Sequence, residues 1–267
     1  MMRGPCVGTK TSKAQTRLYA DDTLLVGADT ARIQKHMDCI STMSCEDGLS
    51  FNWKKLEHLA RQEGAALFTP SGDEIKCKTS IVYLGSVLAA DGRIGSELGR
   101  RLGLGGQIFR SLDKIWRHAN VTRKRKLQIY EACVVTKLMY GLHTSWLNKA
   151  ERRRLDAFNA RCIRRIMGIP HSYISRVANA DVLARAGARP LSHKLLQQQL
   201  LLYSHVARLP DHSAVRQATF ENGDVLPKVL AGTRKRGRPR NTWIGEVHRA
   251  GLQLTTGLPK LREMLLA

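Results

Sequence analysis

Apolar and polar positions change their period partway along the chain. Between residues 16 and 28 (TRLYADDTLLVGA), Leu18, Ala20 and the run Leu24-Leu25-Val26 flank the acidic pair Asp21-Asp22. Two short apolar runs around such a pair predict a tight β-hairpin with the carboxylates at its tip. Asp29-Thr30 then offers an N-cap, Ile33, Met37, Ile40 and Ser44 follow at helical spacing, and Gly48 closes the helix. Residues 49–52, 64–70 and 81–87 read as strands, the last two separated by a Ser71-Gly72-Asp73 turn. Hairpin, helix and strands in this order predict an α+β arrangement.

Beyond the turn signal Asp91-Gly92 the period becomes helical. Leu98, Leu102, Gly105, Phe109, Leu112 and Trp116 fall on one face, which predicts one long helix. Gly103, Gly105 and Gly106 weaken it, by about 1 kcal/mol each relative to Ala. A second helix starts at Thr122 and stripes Leu127, Tyr130, Val134 and Leu138. A third has a capping box, Asn148 with Glu151, ahead of Leu155, Phe158, Cys162 and Ile166. Its arginines, Arg152, Arg153, Arg154, Arg161, Arg164 and Arg165, mostly fall off that stripe. A further helix from Ser192 carries Leu195, Gln199, Leu202 and Val206, residues 233–240 (TRKRGRPR) read as an exposed loop, and residues 241–267 predict one more short helix. No internal repeat is visible.

Charge sharpens this division. The chain carries 44 Lys+Arg against 22 Asp+Glu, a formal net charge of +22, and its hydrophobic content of 43% is enough for a core. Residues 1–90 hold 11 basic and 10 acidic residues, residues 91–170 hold 18 and 6, and residues 171–267 hold 15 and 6. A surplus of this size repels itself unless a polyanion neutralises it, which makes nucleic acid the leading partner. No apolar run approaches the roughly 18 residues of a membrane helix, and residues 1–18 lack the apolar segment of a secretion signal. The six cysteines are scattered without a C-x-x-C pair, so buried, reduced thiols of an intracellular protein are expected. His193, His205 and His212 have no nearby cysteine with which to form a zinc knuckle. No Ser or Cys stands in a nucleophile–base arrangement.

The acidic pair carries the chemistry. Adjacent carboxylates on a tight turn repel each other, and a hard divalent ion such as Mg²⁺ relieves that repulsion. Two such ions clamp the attacking hydroxyl and the leaving pyrophosphate in nucleotidyl transfer. A bare Asp-Asp is also met as an exposed acidic turn; here its surroundings favour the metal. The strings YADDTLLVGA, GLSFNWKKLE and IVYLGSVLAADG occur in the order found in reverse transcriptases. The sequence resembles the C-terminal part of a non-LTR (LINE-type) retrotransposon reverse transcriptase, over residues 17 to about 250.

That resemblance implies a fold and a site. The fold is a short polar lead (1–16), a partial palm (17–90), a helical basic thumb-like domain (91–170) and a C-terminal helical region (171–267). The activity is RNA-directed DNA synthesis, with Mg²⁺ or Mn²⁺ as cofactor and an RNA template and a DNA primer or target as partners. Asp21 and Asp22 bind metal in the family's Tyr-x-Asp-Asp box, and Tyr19 floors the primer end. Asn52-Trp53-Lys54-Lys55-Leu56-Glu57 corresponds to the family's Asn-x-x-Lys-Thr-Glu, with Leu56 in place of Thr. This puts Lys55 near the incoming triphosphate, where a cation stabilises the leaving group; a solvated lysine is the competing reading. Tyr83-Leu84-Gly85-Ser86 corresponds to the primer-grip hairpin. Glu97 with Arg101, then Phe109, Leu112 and Trp116, correspond to the first thumb helix. Tyr140-Gly141 with Trp146, His205–Arg208, and Gly237-Arg238-Pro239 with Trp243 correspond to later blocks.

The family palm also needs a third carboxylate, and none of the residues before Tyr19 is Asp or Glu. A missing upstream polymerase half is therefore expected, and the chain by itself is expected not to polymerise DNA. The other reading is a non-enzymatic nucleic-acid-binding module, or the product of a decayed element. Candidate phosphate contacts are Arg100, Arg101, Arg123, Lys124, Arg125, Lys126, Arg152, Arg153, Arg154, Arg164 and Arg165. A solvated charged face is the alternative for these residues. Lys235, Arg236, Arg238 and Arg240 surround a Gly-Arg-Pro that partly resembles an AT-hook; a nuclear-localisation run and a plain solvated loop are the other readings. A nuclear location follows from the family.

Overall fold

A computed structural model of the chain describes residues 15–19, 22–60, 66–118, 120–221, 223–229, 242–255 and 257–266. The architecture is α+β, and the chain divides into two units, Met1–Arg93 and Ile94–Ala267.

In the first unit, β1 (Gln15–Tyr19) pairs antiparallel with β2 (Asp22–Val26), in a register that sets Tyr19 opposite Asp22 and Leu18 opposite Thr23. This is the hairpin that the apolar runs predict. Helix α1 (Thr30–Glu46) follows, with Asp29 accepting from the Ala31 N–H at 3.1 Å, as its sequence predicts. Gly48 ends it at φ +74°, where the Leu49 N–H reaches the Ser44 carbonyl at 2.8 Å. That bond turns the chain away, so residues 49–52 form no strand and lead into a 3₁₀ turn, Trp53–Lys55.

Strand β3 (His58–Leu59) pairs parallel with β4 (Cys77–Lys78). Part of 64–70 lies outside the described residues. Its remainder makes a single bridge, Phe68 to Glu74, around the predicted turn. The Gln34 amide of α1 acts as a further partner there, bonding both the N–H and the C=O of Phe68 at 2.8 and 2.9 Å. Residues 81–87 are not one strand. They fold back as β5 (Ser80–Tyr83) and β6 (Ser86–Ala89) because Leu84 and Gly85 both take positive φ, +46° and +73°, the requirement of a two-residue hairpin turn. Met37, Leu67 and Ile75 are the buried centre, with Leu25, Ile33, Trp53 and Leu56 against them.

The second unit is helical. The predicted long helix breaks at Leu112 into α2 (Gly95–Ser111) and α3 (Asp113–Arg117). The break lets the Trp116 indole N–H fold back onto the Phe109 carbonyl at 2.7 Å and the two rings stack, 5.1 Å between centroids. Helix α4 (Arg123–Ile129) is capped by Thr122 and runs without interruption through a π-helical segment, Tyr130–Val135, into α5 (Thr136–Met139). Helix α6 (Lys149–Met167) has the predicted capping box, with bonds of 2.8 and 2.9 Å between Asn148 and Glu151.

Four shorter or later helices complete the set up to residue 219. They are α7 (Ser172–Ser175), α8 (Asn179–Arg185), α9 (Leu191–Ala207) and α10 (Ala214–Thr219). Ser192 lies inside the first turn of α9 rather than before it. Its N–H and hydroxyl both donate to Asp156 of α6, at 2.9 and 2.6 Å, which caps α9 from a neighbouring helix. The C-terminal stretch is two helices rather than one, α11 (Trp243–Leu254) and α12 (Leu258–Leu266).

Two cores result. One gathers Leu98, Tyr130, Val134, Leu138, Leu155, Ile163, Val182, Leu191 and Leu195; the other gathers Tyr203, Val206, Phe220, Val225, Val247, Leu261 and Leu265. Helix α9 supplies residues to both. It also packs on α6 across position 170, so residues 94–267 are one unit with no division there.

Arg164 closes the end of α6. It is buried, and all five of its N–H groups find oxygen. Nε and Nη2 donate to Asn179 Oδ1 at 3.1 and 3.0 Å, Nη1 to the Pro170 carbonyl at 3.0 Å and Ser175 Oγ at 3.3 Å, and Nη2 to the Val177 carbonyl. These bonds wrap the segment after Gly168 around one guanidinium. Replacing Arg164 with Leu is expected to destabilise the unit by about 3 kcal/mol, since several charge-assisted bonds go and their acceptors stay buried. Arg164→Lys is expected to recover little of this, because an ammonium lacks the planar fork. Urea denaturation followed by circular dichroism, with proteolytic cleavage of residues 169–179 as local readout, measures both.

Candidate nucleic-acid interface

The resemblance-based site falls in the first unit. Tyr19 and Asp22 face each other as the last residue pair of the hairpin, and both are exposed, Tyr19 at 63%. Asp21 lies outside the described residues. Lys55 is exposed at the end of its 3₁₀ turn, and Tyr83 and Gly85 lie at the β5–β6 turn. Among the described residues no group of three His, Cys, Asp or Glu side chains comes together. Asp22 is one carboxylate, and two-metal chemistry needs a convergent set. The described residues therefore do not by themselves form such a site.

In the second unit the structure sorts the basic candidates by burial. Arg101 is a buried residue of α2, its Nε on Glu97 Oε1 at 2.6 Å and its guanidinium 4.7 Å from the Tyr140 ring centroid. Lys126 is buried with Nζ on the Trp116 carbonyl at 2.8 Å, and Arg164 is buried as described. These three are internal positioning groups and not surface contacts, because each charge is already met by interior oxygens. Arg100 is half-buried and shares Glu97 at 2.8 Å. Arg152 is half-buried over the Trp146 ring, 4.0 Å from its centroid, and donates to the Leu147 carbonyl. Arg123, Lys124, Arg125, Arg153, Arg154 and Arg165 are exposed. Lys235, Arg236, Arg238 and Arg240 lie outside the described residues.

What the sequence did not disclose is a groove of about 1100 Å³ between α2–α3 and the C-terminal half of α6. Its walls carry Arg110 and Arg117 on one side and Arg161 and Arg165 on the other; its floor is Phe109, Phe158 and Cys162. Gly106 keeps the α2 wall low: a Cβ there would stand 3.4 Å from Arg110 Nη1 and 3.7 Å from the Phe158 ring. Asp113 is the one carboxylate in the lining. It pairs with Arg117 and, at 2.6 Å, with Arg165, and the Arg165 hydrogen bond holds its carboxyl below the usual range. Arg110 and Arg161 have no carboxylate partner among the described residues.

Burial pushes the Cys162 thiol up to about 12, so at neutral pH it is protonated and serves as an apolar floor rather than a nucleophile. One signal for the groove was present in the chain: Arg110 with Arg117 and Arg161 with Arg165 sit at spacings that return to one helical face. What joins the two pairs is the packing of α2 on α6. No helix among the described residues is long and apolar enough to cross a membrane. Comparison with protein-family models, with curated proteins and with solved structures finds no match to this chain.

A wall of arginines over an apolar floor binds polyanions by neutralising phosphates and shielding their non-polar parts. Asp113 opposes this by holding two of the four exposed groove arginines; the fifth lining arginine, Arg164, is buried. Asp113→Asn is expected to elute from a heparin column at higher salt than the parent chain, with unchanged helix content. Elution at the same or lower salt would show that Asp113 serves to align these arginines instead.

Proposed function

We propose that this chain is the C-terminal portion of a non-LTR retrotransposon reverse transcriptase. In this reading residues 17–90 contribute part of the palm, and the helical unit holds the nucleic acid on which the enzyme works. The observation that carries the binding role is the groove between α2 and α6. Four arginines line it at the surface against one aspartate, and two of the four have no carboxylate partner among the described residues. The hairpin is consistent with the polymerase part: its last pair, Tyr19 opposite Asp22, joins the first and last residues of the Tyr-x-Asp-Asp string. The divalent metal, the template and primer, and a nuclear location belong to the same proposal and rest on the resemblance. The charge distribution favours it as well, since the near-neutral segment is the one with the paired aspartates and the surplus lies in residues 91–267.

The test is fluorescence anisotropy with a labelled primer–template carrying a single-stranded overhang. Affinity is expected to fall steeply with salt, and each of Arg110→Ala and Arg161→Ala should reduce the logarithmic salt slope by roughly one. Asp22→Ala should leave binding intact. Primer extension by this chain alone, with Mg²⁺ or Mn²⁺, is expected to be absent, because two adjacent aspartates lack the third carboxylate. Asp21-dependent synthesis would overturn that expectation, and salt-independent or absent binding would overturn the binding role.

A further inference from the structure

We infer that the groove takes a single strand of nucleic acid, and that the His171–Tyr173 pair at its rim stacks an unpaired base. This rests on the nucleic-acid reading above and adds the form of the ligand and the residues that select it.

The chemistry of the groove separates a single strand from a duplex. A double helix presents phosphates and sugars outward and keeps its base faces inside the stack, so a surface matched to it needs cations and polar groups alone. Here Phe109 and Phe158 line the same groove as Arg110, Arg117, Arg161 and Arg165. Phe158 is buried and Phe109 stacks on Trp116, so these two rings form an apolar floor, and any ring face offered to a free base must come from the rim. Cations beside an exposed ring are the composition that holds single strands, whose bases have free π-faces.

The rim adds a platform. His171 lines the groove, and its ring lies nearly parallel to that of Tyr173, at 7° with 5.8 Å between centroids. Both residues are exposed, and Tyr173 remains 70% exposed despite the pairing. Neither ring belongs to a core, so packing does not account for their alignment. The alignment comes instead from the segment that carries them. Arg164 grips Pro170 on one side of the pair and Ser175, Val177 and Asn179 on the other, so the four-residue helix between is held in place before any ligand arrives. A preformed platform loses little conformational entropy when a base stacks on it.

The experiment uses the full chain and an oligothymidylate of about a dozen nucleotides carrying one 2-aminopurine, against a duplex of equal length. The strand is expected to bind more tightly than the duplex, with quenching of the 2-aminopurine. Tyr173→Ala should weaken strand binding by about five-fold or more and abolish the quenching, without changing the salt slope, whereas Tyr173→Phe should retain both. Because Tyr173 is on the surface, folding of these variants is checked simply by circular dichroism. Duplex binding at least as tight as strand binding, or a Tyr173→Ala variant that binds and quenches like the parent, overturns the inference while leaving the nucleic-acid reading standing. Failure of strand and duplex alike overturns that reading and the inference with it.

Discussion

The helical unit depends on one buried positive charge. Arg164 sits at the end of α6 with no carboxylate among its hydrogen-bond partners, and its charge is dispersed over an amide, a hydroxyl and main-chain carbonyls. A guanidinium tolerates this arrangement because its charge is delocalised and weakly hydrated. The consequence is directional. The chain leaving α6 through Gly168, at φ +70°, cannot wander, because successive oxygens along it are drawn to one centre. That constraint sets where α8 begins, where α8 places Val182 and Leu183 in the core, and where the groove ends.

Charge in this unit therefore has two uses that look alike in composition. Glu97, Arg101, Lys126 and Arg164 are charges spent inside, where each has been removed from water and must be matched by oxygens or an opposite charge. Arg110, Arg117, Arg161 and Arg165 are charges kept at the surface over an apolar floor. A net charge counts both sets equally. Burial separates them: all of them add to the overall field, but the second set has side chains at the surface that a phosphate can reach.

Much of the local structure is written in local chemistry. The hairpin at Tyr19–Asp22, the Asp29 cap, the Asn148–Glu151 box and the Gly48 stop each depend on residues a few positions apart, and each appears where its pattern stands. The misreadings share a different cause. Residues 81–87 carry enough apolar character for a strand, yet a positive φ at Leu84 folds them back, and leucine gives no warning of that conformation. The short helices α7, α8 and α10 are below the length at which period is visible. The α2–α6 groove needs Arg110 and Arg161 to meet across the fold, which no spacing along the chain expresses. Of the family-like site, the hairpin was legible and the convergence of carboxylates was not, since Asp22 alone is described.

Helix α9 carries a mechanical consequence. Its N-terminal half, through Leu191 and Leu195, belongs to one core, and its C-terminal half, through Tyr203 and Val206, belongs to the other. A rigid rod shared in this way makes the two clusters neighbours in cooperativity, because fraying that frees the rod from one core withdraws buried surface from both. Helices α11 and α12, which pack on its far half, thereby stabilise a groove they do not touch. The second core acts as ballast: it keeps the shared rod seated while the α2–α6 side stays open as a groove.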